Sequence, residues 1–137
     1  MRSYKFIGRT ERIKLPLFEL DNIEAKIDTG AYTSSIDCSQ IELDEEAKVL
    51  RFKIFDKDNK DFKDVYYEFD KWEKTEVTSS NGTSEERFMI KVEVQFGSDK
   101  FETEFTLANR SKMKYPILIG RKTIPRGWFV DVHNSQN

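Results

Sequence analysis

The sequence contains one cysteine and has a net charge of only −2. Because a single cysteine cannot form an internal disulfide, the chain does not require an oxidising compartment. No apolar run is long enough to span a bilayer, and the N-terminal residues do not resemble a signal peptide. The weak net charge gives no overall attraction to nucleic acid or to an acidic membrane surface. We therefore predict a cytoplasmic protein that binds neither nucleic acid nor membrane.

Several kinds of catalytic site lack the residues that they require. Zinc hydrolases use mainly histidine ligands, but His133 is the one histidine and no H-E-x-x-H motif occurs. A nucleophilic pair of Cys38 and His133 is formally possible, although a buried structural cysteine is the simpler interpretation. Residues 56–61 begin like a calcium loop, but Asp61 replaces its glycine and Tyr67 its final glutamate. Since there is also no glycine-rich phosphate loop, we predict no bound metal and no cofactor.

The hydrophobic pattern predicts strands. Charged residues make up 35% of the 137-residue chain, but 11 Phe, 5 Tyr and 2 Trp supply buriable surface. Residues 88–96 alternate at period two, turn at 97–100 and return over 101–107, which predicts a long β-hairpin. The continuous apolar run at 115–120 predicts a strand that is buried on both faces. We predict one all-β domain over residues 1–137, with a closed, barrel-like sheet.

The hydrophobic patterns in the rest of the chain are weaker than the pattern of this hairpin. Alternation of apolar and basic residues predicts strand pieces, and polar runs predict turns. The acidic run at 40–48 predicts a surface turn or short helix. The remaining predictions are strands over 4–9, 13–17, 49–55, 65–69 and 128–132, a hairpin tip at 78–84, and one helical turn at 121–124.

The candidate catalytic residue is Asp28, which follows a short apolar strand and begins an Asp-Thr-Gly turn. Thr29 can hydrogen-bond locally, and Gly30 lets the backbone approach whatever the carboxylate faces. A lone carboxylate is a poor hydrolytic catalyst. Two carboxylates that share a proton can act together, one accepting a proton from water while the other donates one to the substrate carbonyl. Because the chain has only one such turn, the second aspartate would come from a second copy across a twofold axis.

These motifs resemble the retropepsin type of aspartic protease. Each half-site of that type has a hydrophobic-Asp-Thr-Gly-Ala strand, a flap hairpin, a long hairpin, and a hydrophobic-hydrophobic-Gly-Arg segment before a final strand. Residues 27–31 match the first motif and residues 118–121 the later one. The chain is more similar to the bacterial and archaeal family named ATP-dependent zinc proteases, which is associated with RimK-type glutamate ligases. The agreeing stretches are 7–9, 15–16, 25–34, 77–82, 86–87, 107–113 and 118–121.

The resemblance implies a closed retropepsin-like barrel with at most one short helix after Gly120. Asp28 would be the catalytic residue, and Thr29 would brace the two turns across a homodimer. Gly30 and Ala31 would form the floor against which the substrate backbone lies. Gly120 would give clearance beneath the Asp28 turn.

The resemblance also implies residues that contact the substrate or the second subunit. Residues 79–86 are the candidate flap, and Arg121 would help lock the dimer. The family position of Tyr32 is commonly Arg, and a His that often follows is absent where this chain has 36–37, so no zinc role carries over. In viral retropepsins the position of Tyr32 is an Asp that pairs with the later Arg, so Arg121 needs another partner. The substrate-binding or dimer candidates are Tyr32, Thr33, Ser80, Asn81, Gly82, Asn109, Arg110 and Arg121.

The predicted function is therefore that of an aspartic endopeptidase-like hydrolase. A homodimer would hydrolyse a peptide or isopeptide bond with a water held between two Asp28 carboxylates. Acidic or glutamate-tailed peptides are the expected substrates, and an ATP-grasp glutamate ligase is the expected partner. Two alternatives stay open: a non-catalytic peptide-binding or adaptor domain with the same barrel, and a zinc-dependent hydrolase.

Overall fold

The computed structural model describes residues 5–78, 81–109, 114–125 and 127–131. These residues form eleven strands and two short 3₁₀ turns, Pro16–Phe18 and Arg121–Thr123, so the all-β prediction is confirmed. The strands are β1 (Lys5–Gly8), β2 (Thr10–Leu15), β3 (Leu20–Ile27), β4 (Ser34–Asp44), β5 (Val49–Ile54), β6 (Tyr67–Phe69), β7 (Glu73–Thr78), β8 (Ser84–Phe96), β9 (Asp99–Ala108), β10 (Ile117–Ile119) and β11 (Trp128–Asp131).

Six of the strands close into a barrel in the order β10, β3, β2, β8, β9, β4. The ring closes because the short β10 pairs in parallel with β3 on one side and antiparallel with β4 on the other. β5 and β6 extend the sheet from β4, and β7 pairs with β8. β1 and β11 form a separate parallel pair. The predicted closed barrel is confirmed, and its closure places the end of β3 beside β10.

The core follows the alternation of the strands. On β5, for example, Leu50, Phe52 and Ile54 are fully buried, whereas the residues between them are half-exposed. Phe18 is also fully buried and meets the rings of Phe52 and Tyr67 edge-on. Such edge-to-face pairs suit the aromatic quadrupole. The aromatic residues therefore build the core that their number in the sequence predicts.

Phe18 reaches the core through a 3₁₀ turn that the sequence interpretation did not include. The prediction allowed at most one short helix, after Gly120, and extended a strand over residues 13–17. The structure ends β2 at Leu15 and adds the turn Pro16–Phe18. Proline has no backbone N–H to donate to a sheet, and its fixed φ angle suits the first turn of a helix. The strand therefore stops at the residue before it.

Two further strands differ from the sequence prediction because distant pairing outweighs local composition. The acidic run at 40–48 is not helical, since β4 continues through Asp44 and pairs with β5 before a turn at 45–48. The hairpin predicted at 88–96 is confirmed, but its first strand begins at Ser84, and its outer half pairs with β7. Residues 73–78, which had no strand prediction, thus form β7.

Cys38 lies on β4 inside the core and is 1% exposed. Burial raises the pKa of its thiol well above the usual value, and the neighbouring Asp37 carboxylate raises it further. A thiol that stays protonated at neutral pH is a poor nucleophile. The structural interpretation of this cysteine is therefore favoured, and His133 lies outside the described residues.

Candidate functional site

Asp28 is placed by backbone hydrogen bonds to two neighbouring segments. Its N–H donates to the carbonyl of Ile119 on β10 at 2.8 Å. The preceding residue, Ile27, donates to the carbonyl of Arg9 at 2.9 Å. Because β10 runs parallel to β3, with Ile119 paired to Ile27, both strands end at the same edge of the barrel. Asp28 therefore directly follows a strand end whose position is fixed by these hydrogen bonds.

The Asp28 turn, residues 28–31, directs the carboxylate with its own backbone. The Gly30 N–H donates to Asp28 Oδ1 at 3.1 Å, and the Ala31 N–H donates to the Asp28 carbonyl at 3.2 Å. A Cβ atom on Gly30 would lie 3.3 Å from Oδ1, which is tight for such a contact. Asp28 itself is half-buried, and Thr29 and Gly30 are exposed. The turn thus presents an oriented and accessible carboxylate.

Gly120 begins the supporting segment, residues 120–123, which lies directly behind this turn. A Cβ atom at Gly120 would lie 2.6 Å from the carbonyl carbon of Thr33, 2.7 Å from its oxygen and 2.8 Å from the oxygen of Tyr32. These are backbone atoms that cannot rotate away. Glycine is therefore required by the close approach of the two backbones. The clearance role beneath a catalytic turn, which the family resemblance implies for Gly120, stays a prediction.

The supporting segment is hydrogen-bonded to the end of the Asp28 turn. The N–H groups of Arg121 and Lys122 donate to the carbonyls of Ala31 and Tyr32 at 2.8 and 2.9 Å. The Arg121 guanidinium donates to the Thr29 carbonyl at 2.8 Å and lies 5.7 Å from the centroid of the Tyr32 ring. These contacts supply the partner that Arg121 lacked in the sequence comparison. Three hydrogen bonds therefore hold the Asp28 turn, and Tyr32 directly after it, to residues 121 and 122.

Lys122 and Glu104 also lie at the site, although neither was among the residues predicted from the sequence. Lys122 forms an ion pair with Glu104 on β9, and its Nζ atom lies 5.8 Å from the Tyr32 ring centroid. The hydrogen bond to Glu104 raises the pKa of Lys122, so the ammonium stays charged at neutral pH. The Tyr32 ring is 60% exposed. An exposed ring with two adjacent cations therefore borders the Asp28 turn.

The candidate flap falls at the tip of the β7–β8 hairpin, where Thr78 pairs with Ser84. Asn81 accepts a hydrogen bond from the Thr83 N–H at 3.0 Å, and Gly82 has a φ angle of 86°. That angle lies in the left-handed region that favours glycine. Ser80, like residue 79, lies outside the described residues. The hairpin shape fits a flap, whose role stays a prediction.

Two candidate residues follow β9. Asn109 is exposed immediately after the strand ends, and Arg110 lies outside the described residues. Thr33, in contrast, is half-buried against Gly120. The structure therefore brings Thr33 and Arg121 together with the Asp28 turn, while a substrate role for Asn109 stays a prediction.

A groove of about 520 Å³ borders the candidate site through Glu104. Its lining mixes apolar side chains with both signs of charge and includes no residue of the Asp28 turn. The lining residues are Lys48, Asp70, Lys71, Trp72, Glu73, Met89, Ile90, Lys91 and Glu104.

In the described part of the chain, no group of three or more His, Cys, Asp or Glu side chains is arranged to hold a metal ion. Within the same segments, none of the helical turns has the length and apolar character needed to cross a bilayer.

Curated relatives of this chain are named as probable alpha-L-glutamate ligases. The chain is 33% identical to the one from Shewanella pealeana over 138 residues, which are 98% of this chain and 30% of that protein. It is 30% identical to the one from Parasynechococcus marenigrum, covering 94% of this chain and 28% of that protein. The chain thus spans less than a third of the length of these relatives.

A solved structure shares the fold. The crystal structure of a Legionella pneumophila protein of unknown function matches with a TM-score of 0.72, 24% sequence identity and 97% coverage of both chains. In addition, the family model described as the RimB-like retropepsin-like aspartic endopeptidase matches residues 6–136. Nearly the whole chain is covered by this match. The chain therefore belongs to the RimB-like family of retropepsin-like aspartic endopeptidases.

Proposed function

We propose that this protein is an aspartic peptidase in which two copies of the chain each contribute Asp28 to one shared site. The observation that carries the proposal is the Asp28 turn itself, in which a half-buried carboxylate is oriented by the Gly30 N–H and held from behind by residues 120–122. Membership of a family of retropepsin-like endopeptidases supports the same reaction class.

The reaction needs two carboxylates that share one proton. One Asp28 accepts a proton from water as the water oxygen attacks the scissile carbonyl carbon. The second Asp28 donates its proton to the carbonyl oxygen, which gives a neutral tetrahedral diol. Breaking the C–N bond then transfers a proton to the leaving nitrogen and restores the shared-proton state. One chain provides one such turn, so a twofold dimer is the simplest way to assemble the pair.

An acidic peptide, such as a glutamate tail, is the proposed substrate class. Arg121 places positive charge beside the Asp28 turn, and Lys122, which is paired with Glu104, adds a second cation. The two groups lie 5.7 and 5.8 Å from the centroid of the Tyr32 ring. The curated relatives, which contain a segment like this chain, are named for adding glutamate. We propose an ATP-grasp glutamate ligase in the cytoplasm as the partner that supplies this substrate.

A non-catalytic peptide-binding or adaptor domain is the second candidate. The observation that favours it is the name of the relatives, in which a segment like this chain makes up about 30% of a protein named as a ligase. In that role the Asp28 turn would be a binding element that presents a peptide to the ligase. Zinc-dependent hydrolysis is a weaker candidate, because the described residues contain no cluster of metal-binding side chains.

Cleavage of a defined acidic peptide separates these candidates. We expect the purified protein to cleave an internally quenched peptide that carries a run of glutamates, and the rate to be unchanged by a metal chelator. A matched peptide with glutamines in place of the glutamates should be cleaved more slowly, because it loses the attraction to Arg121 and Lys122. Binding of the glutamate peptide without cleavage would favour the adaptor. Loss of activity with chelator, restored by zinc, would favour the metal hydrolase.

A further inference from the structure

Buried hydroxyl groups from three elements form a connected cluster behind the Asp28 turn. Ser34 at the start of β4, Thr123 in the second 3₁₀ turn and Thr103 on β9 are 0%, 3% and 7% exposed. The Ser34 Oγ and Thr123 Oγ1 atoms are 2.5 Å apart, and the Oγ1 atoms of Thr123 and Thr103 are 2.7 Å apart. Thr106 adds a bond from its hydroxyl to the Ser34 carbonyl at 3.3 Å. We call these four residues the hydroxyl cluster.

Thr123 occupies the middle of this cluster. It is the one member that belongs to the supporting segment, while its two hydroxyl partners lie on barrel strands that pair with each other, β4 and β9. The Gly120 N–H at the other end of the segment donates to Ser34 Oγ at 3.0 Å. The supporting segment is therefore attached to the barrel at both ends through Ser34 and Thr123.

The attachment lies directly behind the contacts that hold the Asp28 turn. The amides of Arg121 and Lys122, between the two attached ends, donate to the carbonyls of Ala31 and Tyr32. A movement of residues 120–123 would therefore move those carbonyls, and with them the turn that carries Asp28. Paired carboxylates need a defined separation, and a misplacement of about 1 Å costs an enzyme roughly a hundredfold in rate.

The cluster gathers most of the buried polar side chains in one place. The described residues include seven buried polar or charged side chains, and four of them form this cluster. A core needs no hydroxyl groups for packing, since an apolar side chain of equal shape avoids their desolvation cost. Thr10 provides the contrast, because its buried Oγ1 atom on β2 has no hydrogen-bond partner among the described residues.

We propose that Thr123 is a positioning residue for Asp28, acting through the backbone of residues 120–122. This inference rests on the proposed function, since it assigns a role in the same reaction. The Thr123 hydroxyl fixes the supporting segment against β4 and β9. The segment in turn fixes the distance and direction at which each Asp28 meets its counterpart.

The experiment compares three single substitutions. Thr123→Val removes the hydroxyl and keeps the shape, whereas Thr123→Ser keeps the hydroxyl. Thr10→Val makes the matched change at the buried hydroxyl that has no hydrogen-bond partner in the described part of the chain. For each variant, kcat and KM are measured on the glutamate-run peptide, with the midpoint of urea unfolding and the hydrogen-exchange rates of the Arg121 and Lys122 amides.

We expect Thr123→Val to lower kcat by about ten- to a hundredfold with KM changed less than about twofold, because the site is displaced and substrate contacts are kept. Thr123→Ser should restore most of kcat, and Thr10→Val should leave kcat unchanged. Of these three variants, only Thr123→Val should show faster amide exchange at Arg121 and Lys122 than the wild type. Thr103→Val removes a hydroxyl at the end of the cluster and should lower kcat by less than Thr123→Val does. It replaces Thr123→Val in the test if that variant does not fold.

The proposal is overturned if Thr123→Val keeps wild-type kcat, or if Thr123→Ser is as impaired as Thr123→Val. If the wild-type protein cleaves no acidic peptide, the proposed function fails and amide exchange decides the inference. Faster exchange at Arg121 and Lys122 in Thr123→Val than in Thr10→Val then supports positioning of the turn, and equal exchange contradicts it.

Discussion

Replacing Asp28 with asparagine should reduce cleavage of the glutamate-run peptide by about 10³-fold or more, because both subunits then lack the carboxyl group that exchanges protons with water and substrate. Asparagine has nearly the shape of aspartate, and its Oδ1 atom can still accept the Gly30 N–H that now binds Asp28 at 3.1 Å. The fold and the dimer should therefore be kept. The loss is measured as kcat/KM, beside the unfolding midpoint and the solution mass.

A matched control and a mixing experiment sharpen this test. Asp58→Asn makes the same change on an exposed turn at residues 57–60 and should leave kcat unchanged. Adding excess Asp28→Asn protein to the wild type should also lower the activity of the wild-type chains. In that mixture most wild-type chains are paired with a subunit that lacks the second carboxylate. Full activity of Asp28→Asn itself would exclude the aspartic mechanism.

Substituting alanine for Gly120 should destabilise the protein by about 3 kcal/mol and also remove most of the activity. The new Cβ atom would lie 2.6 to 2.8 Å from backbone atoms of Thr33 and Tyr32. Because these atoms belong to the backbone that leads from the Asp28 turn into β4, relief of the overlap must displace the turn. The free energy of unfolding is measured by urea denaturation, and kcat on the same peptide.

Gly97→Ala is the appropriate control for this substitution. Gly97 lies at the β8–β9 turn with a φ angle of 57°, and a Cβ atom there meets nothing within 4 Å. Alanine should cost only about 1–2 kcal/mol at that site, through the left-handed backbone alone. If Gly120→Ala is no more destabilising than Gly97→Ala and keeps activity, the supporting segment has no role in holding the turn.

The sequence predicted the parts of the fold that are encoded locally. The hairpin of β8 and β9 follows from strict alternation, and β10 from a continuous apolar run. That run predicted burial on both faces, but on β10 only Ile117 and Ile119 are fully buried, and Leu118 on the other face is half-buried. Alternation identifies which face of a strand is buried but not which strand is its neighbour. The closure of the barrel through β10, and the pairing that turns 40–44 and 73–78 into strands, therefore required the structure.

For the candidate site, too, some features could be predicted from the sequence and others required the structure. Asp28 is recognisable in the sequence because a tight turn restricts the residue types around it. Gly120 was identified through the family resemblance, and the structure supplies the physical reason for a glycine there. The partners of Arg121 are a backbone carbonyl and an aromatic ring, which have no signature in a sequence. Thr103 and Thr123 resemble surface residues in a polar chain. Their burial follows only from the folding of β9 and the second 3₁₀ turn against β4.

The separation of the two Asp28 carboxylates in a crystal of the dimer tests the central claim most directly. We expect the nearest oxygens of the two side chains to lie within about 2.5–3.0 Å of each other across a twofold axis, the range of a hydrogen bond between oxygen atoms. The Arg121 and Lys122 amides should still bind Ala31 and Tyr32. A dimer whose Asp28 carboxylates face solvent on separate surfaces, or a chain that is monomeric in solution as well as in the crystal, would contradict a shared active site.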